Sequence, residues 1–177
     1  RAIDTNHDGI NETATVSVSG YETLDRDRDG HPELAHGLAF SANASNPSSL
    51  PNPTETDLRV YLYSWADPQG NGRLAYRSAL DLTGLATDAN GDGHPELVQL
   101  TIHAATLRNV SDDPPQVNAT LDGQSTAYDN DSNGIFEKAT LHLQAEALLR
   151  ENGTVAHAYA TLDALVLNDI QDANPDR

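Results

Sequence analysis

Cysteine and methionine are both absent from this 177-residue chain, and it has only one tryptophan, two phenylalanines and a single lysine, Lys138. Without cysteine, no disulfide can hold the fold. With so few aromatics, any core is aliphatic and modest, so another source of stability is expected. Basic residues are scarce too: 10 against 27 acids, a net charge of −17 with nothing basic clustered, which argues against a nucleic-acid partner. No apolar run is long enough for a membrane-spanning helix, and neither membrane insertion nor a remaining signal peptide is expected. The lack of any methionine suggests a chain processed or excised from a precursor. Low Lys with high Asp is a halophile-like bias, and the lack of Cys and Met also fits a hot or oxidising habitat.

What the chain has instead is one nine-residue pattern written four times. The copies are Asp4, Asn6, Asp8, Gly9, Glu12; Asp25, Asp27, Asp29, Gly30, Glu33; Asp88, Asn90, Asp92, Gly93, Glu96; and Asp129, Asp131, Asn133, Gly134, Glu137. The consensus is D-x-[DN]-x-[DN]-G-x-x-E. Oxygens at positions 1, 3 and 5 of a curled loop converge on one point. Glycine at position 6 permits the sharp turn, and the acid at position 9 closes the shell. The residue at position 7 (Ile10, His31, His94 or Ile135) offers its backbone carbonyl. Calcium takes about 6–8 such oxygens at roughly 2.3–2.6 Å, and the expectation is about four calcium ions. The four windows hold 13 acids and two bases (Arg26 and Arg28), so they carry −11 of the net charge and the other 141 residues only −6. Much of the acidity is therefore expected to be metal site.

An EF-hand would need a bidentate Glu at position 12 and flanking helices. Position 12 here is Thr15, His36, Gln99 or Thr140, and the flanks alternate like strands. The loops resemble instead the β-hairpin calcium loops of FG-GAP/VCBS repeats and integrin-type domains, with Asp88–Val98 the nearest in form. That resemblance covers the loops, about a fifth of the chain, and implies the ion and the hairpin. Position 9 is Glu where that family usually has Asp.

The loop starts suggest an internal repeat of about 62 residues, dividing a single domain into 4–66, 67–128 and 129–177. Asp67, Asn71 and Gly72 mark a degenerate copy, and Arg150–Gly153 a turn without ligands. Eight alternating segments are expected as strands: Glu12–Tyr21, Leu34–Ala42, Asp57–Trp65, Arg73–Leu82, Leu97–Leu107, Gln116–Leu121 (reaching Tyr128 in the repeat scheme), Phe136–Leu149 and Val155–Asn168. Phe136–Leu149 is rich in helix formers, but its repeat equivalents alternate clearly. The expected architecture is an all-β antiparallel sandwich of about eight strands. Its inward residues would be Val16, Val18, Leu38, Phe40, Val60, Leu62, Leu80, Leu82, Leu100, Ile102, Leu141, Leu143, Leu162 and Val166.

Six Asn-x-Ser/Thr sequons, at Asn11, Asn43, Asn109, Asn118, Asn130 and Asn152, exceed the roughly two that composition gives, which suggests an extracellular glycoprotein. Asn11 and Asn130 lie within the acidic loops, leaving Asn43, Asn109, Asn118 and Asn152 as candidate acceptors. Millimolar extracellular calcium suits loops of this kind. None of the common catalytic motifs is present, so no enzyme is expected. His103, His142 and His157 fall within strands, and Asp57, Asp81, Asp122 and Asp163 show no pairing legible in the sequence. The first loop has only three residues before it, so an edge of the assembly would lack a partner strand. Strand addition from a second copy would close that edge. Asp172, Asn174 and Asp176 repeat positions 1, 3 and 5 of the loop and suit a calcium site shared between subunits, or a disordered acidic tail.

The expected function is a secreted calcium-binding subunit of an extracellular filament or sheath. In kind it is similar to archaeal cannula proteins and donor-strand pili. A second reading is a calcium-rigidified adhesion or carbohydrate-binding module, with Tyr61, Tyr63 and Trp65 as a sugar-stacking face.

Overall fold

Residues alternating apolar and polar with a period of two form strands that keep one face dry and one wet. In a computed structural model, which describes residues 1–47, 50–108, 116–151 and 153–168, the chain forms nine such strands. They are β1 (Ala2–Ile3), β2 (Thr13–Leu24), β3 (Leu34–Ser45), β4 (Glu55–Ala66), β5 (Tyr76–Thr87), β6 (Leu97–Arg108), β7 (Val117–Tyr128), β8 (Lys138–Glu151) and β9 (Thr154–Leu167). All eight expected segments are strands. Among the described residues there is no helix, and so none long and apolar enough to cross a membrane. The helix formers of β8 are overridden because that strand is paired along its length on both sides, with β7 and with β9.

The strands lie in chain order, each antiparallel to the next, in one sheet whose two edges are not joined. Each packs only against its neighbours in sequence. The architecture therefore differs from the expected sandwich: the described residues make one layer rather than two. Alternation reveals that a strand has a dry face, but not whether the covering layer comes from the same chain.

The spacing of the elements is finer than the expected repeat. From β2 to β8 the strands begin at Thr13, Leu34, Glu55, Tyr76, Leu97, Val117 and Lys138, intervals of 21 residues with one of 20. A unit is thus a twelve-residue strand and a nine-residue connection. The period near 62 is three units, and because successive connections alternate ends, an odd number crosses the sheet. The Asp25 and Asp88 loops accordingly lie at opposite ends. The Asp4, Asp88 and Asp129 loops share one end with the connection 46–54.

Register settles the faces. Leu38, Leu62 and Leu80 stand directly opposite one another, as do Phe40, Val60 and Leu82. All fourteen residues expected to point inward lie on one face. They are not buried: Val18 is 58% exposed and Val166 62%, and among the described residues the buried apolar core is Ala35 alone. Tyr61, Tyr63 and Trp65 lie on the other, polar face, so the tryptophan is not part of the apolar layer.

Candidate metal centres at the two ends of the sheet

Each acidic loop is built around its first aspartate. Asp4, Asp25, Asp67, Asp88 and Asp129 each accept, through Oδ2, the backbone N–H of the glycine five residues on, at 3.0, 2.9, 2.6, 2.7 and 2.7 Å. The residue at position 5 accepts from the N–H of position 7: Ile10 to Asp8, His31 to Asp29, His94 to Asp92 and Ile135 to Asn133, each at 2.8 Å. The closing glutamate reaches back to the N–H at position 2, pairing Glu12 with Thr5, Glu33 with Arg26, Glu96 with Ala89 and Glu137 with Asn130 at 2.6–2.7 Å.

These bonds curl the chain tightly enough to need two left-handed residues. One is the expected glycine at position 6, with φ of 89° at Gly9 and 94° at Gly93; the other is position 4, with φ of 66° at His7, 63° at Arg28 and 57° at Ser132. Sequence reasoning missed position 4, although Gly91 and Gly70 stand there in two of the loops.

Three groups of acids are drawn together, each offering oxygens within 4.8 Å of one another: Asp4, Asp8 and Glu12; Asp25, Asp27 and Asp29; and Asp129, Asp131 and Glu137. These are all-oxygen sets that could hold a metal ion, as a hard cation requires. Glu12 Oε1 is buried with no hydrogen-bond partner, an orphan acceptor that a cation in the Asp4 loop would satisfy. Crowding shows in the protonation preferences. At Asp27, the Asp29 backbone N–H favours ionisation, but desolvation and the charges of Asp29, Glu33 and Asp25 outweigh it and raise the carboxyl. Desolvation, with Glu137 and Asp129 nearby, raises Asp131. A cation between these oxygens would relieve both. The closing glutamates go the other way: Thr5's N–H lowers Glu12, and Ala89's lowers Glu96.

The Asp88 loop, nearest in form to the family pattern, gathers no such trio of acids. Glu96 is turned to the neighbouring loop, where its Oε1 accepts from the Ser132 hydroxyl at 2.9 Å. Asn90 and Asp92 keep the loop geometry, with the Asn90 amide donating to Asp92 at 3.1 Å. The Asp67 copy has the same fold with Gln69 at position 3 and Ala75 at position 9, so it keeps the turn without the full ligand set. The connection 46–54 starts with a buried Asn46 whose side chain bonds Leu50 in both directions, at 2.6 and 2.9 Å.

Loops sharing an end are tied into a row. The N–H of Asn46 donates to the Glu12 carbonyl, Asp88 to Thr54, Asp129 to Glu96 and Asn168 to Glu137, at 2.7–2.9 Å; at the opposite end Asp67 donates to Glu33 at 2.8 Å. Asn52 donates to the Gly91 carbonyl at 3.0 Å. The exposed His94 ring lies against Gly134, and the His31 carbonyl lies beside Gly70 of the next loop. Asp67, Asp88 and Asp129, flanked within these rows, are buried at 4%, 4% and 1% exposure.

The polar face pairs the acids whose partners the sequence left open. Asp81 takes two bonds from Arg59, at 2.9 and 2.6 Å, and its carboxyl is held low chiefly by that bond. His103 meets Asp122 at 2.5 Å, His142 meets Asp163 at 2.6 Å, and His157 meets Glu146 at 2.8 Å. All are surface pairs. Of the sequons, Asn43 donates its amide to Asp57 at 2.8 Å in mid-strand and Asn118 is exposed on β7; Asn109 and Asn152, like Asp172, Asn174 and Asp176, lie outside the described residues.

Comparison with protein-family models, with curated proteins and with solved structures finds no match to this chain.

Proposed function

We propose that this protein is a calcium-binding structural subunit of an extracellular filament or sheath, in which copies join edge to edge. Calcium is the ion because every donor is oxygen and each loop offers several of them. About four ions would offset most of the charge of the acids clustered at the strand ends. The extracellular setting is supported by the sequons and by the match between weak loops and millimolar calcium.

The observation that carries the polymer reading is β9. It is a fourteen-residue edge strand, exposed throughout, with no Lys, Pro or Gly to blunt it. At the other edge, β1 covers only the start of β2, pairing with Thr13 and Ala14 and bonding Thr15 through Arg1. Since β2 and β9 run in opposite directions, the β2 edge of one copy continues the antiparallel order after β9 of another. The bonds between Arg1 and Thr15 show that odd residues of β2 direct N–H and C=O outward. Ser19→Pro therefore deletes an outward donor and spares the β2–β3 ladder.

With calcium, the wild-type chain is expected to grow into filaments visible by electron microscopy, and to dissolve with chelator. The Ser19→Pro chain should melt at a similar temperature in calcium without growing. Filaments from both chains, or from neither, would reject edge addition. The adhesion-module reading keeps one supporting observation, the shared polar face of Tyr61, Tyr63 and Trp65. Glycan binding by a non-growing wild-type chain, lost in Trp65→Ala, would favour it.

A further inference from the structure

We infer that the apolar face of the sheet is covered by the same face of a second copy, so that two chains make a two-layer sandwich. This surface is distinct from the edges used for filament growth, and the inference stands without that reading.

Four adjacent cross-strand rows on this face contain no charged residue on any strand from β2 to β9. One row runs Val18, Phe40, Val60, Leu82 and Ile102, then crosses Gly123 to Leu143. At Gly123 the Ile102 and Leu143 side chains close over the gap, both 2.5 Å from where a Cβ would stand, so the layer is continuous. The charges on this face, Glu22, His36, Arg108 and Glu151, sit towards the strand ends.

With strands about 4.8 Å apart and residues about 3.4 Å apart, the uncharged area is about 38 by 27 Å, or about 1,000 Å². That exceeds the roughly 300–600 Å² of the largest apolar patch on an ordinary monomer. It also exceeds the roughly 800 Å² per partner of a standard interface. Leu62 and Leu100 near its middle are 39% and 42% exposed, so the described residues leave the layer uncovered.

A broad sheet face is best met by another sheet about 10 Å away with strands aligned within about 30°. A second copy supplies that shape. It sets uncharged rows on uncharged rows and leaves the acidic loops of both chains at the strand ends, in water. The net charge of −17 opposes the alternative of an anionic lipid surface.

The test is sedimentation equilibrium in calcium with the Ser19→Pro chain, which cannot extend at its β2 edge. The expected mass is 38 kDa, twice 19.0 kDa. Leu100→Glu in that background should weaken the dimer by about 100-fold, while Thr101→Glu, on the polar face of the same strand, should not. Because the chain has no cysteine, folding can be separated from association. Leu82→Cys should be joined to its twin by a bis-maleimide that spans about 10 Å, the separation of facing sheets, and Thr83→Cys should not. A wild-type-face chain that stays at 19.0 kDa, a dimer indifferent to Leu100→Glu, equal cross-linking from both faces, or binding to neutral phosphatidylcholine vesicles in place of dimerisation would overturn the inference.

Discussion

Asp129 is a carboxylate at 1% exposure in a protein whose aliphatic side chains are largely open to water. Burial alone would favour its protonated form, yet the N–H groups of Gly134 and Asn133 hold its pKa below the ordinary carboxylate value. Asp129→Ala would leave those donors unsatisfied, costing about 1–3 kcal/mol without any metal. On the proposed function a calcium ligand would be lost as well, and the gap from wild type should then widen when calcium is added. Melting curves in calcium and in chelator check this; a wild type whose melting ignores calcium would remove the ion from the stability of this loop. Asp81 allows a cleaner pH test because it lies away from the loops. Its pKa is depressed by Arg59, so its stabilisation is fully present above the unfolded-state value and is lost as pH falls through the folded one. The pair is partly exposed, so Asp81→Asn should cost no more than about 1 kcal/mol at neutral pH. Wild type and variant should converge in acid. Urea titrations at several pH values would reveal a constant difference if the pair were irrelevant.

At the scale of elements, the strands were legible because alternation survives the unusual composition. Their ends were less so. The alternation that marks β7 fades after Leu121, where Gly123, Gln124 and Ser125 weaken it, and the strand runs to Tyr128, the end that the repeat scheme implies. The loops were legible as acidic turns from residue type and spacing. The hydrogen bonds that shape them were not, since the strain at position 4 falls on His7, Arg28 and Ser132, which no composition rule singles out. The shorter unit is hidden in the sequence because the clearest copies, at Asp25 and Asp88, are three units apart, while intervening copies have exchanged their ligands for Asn46 or for Gln69 and Ala75. The pairing of Arg59 with Asp81 and of His103 with Asp122 depends on register across strands, which a single sequence does not display.

At the scale of the molecule, a sheet in which each strand meets only its neighbours behaves as a one-dimensional array, with stability close to a sum of nearest-pair terms. Its mechanical character follows from the same meander. A load applied at the two termini acts across the strands, so hydrogen bonds are peeled in succession rather than sheared together. Each released unit of 21 residues would lengthen the chain by roughly 70 Å at most. Single-molecule pulling is expected to give a sawtooth with that step at modest force, and calcium should raise the force at the teeth where an acidic loop opens. A sheet wound in this order yields by paying out slack one strand at a time.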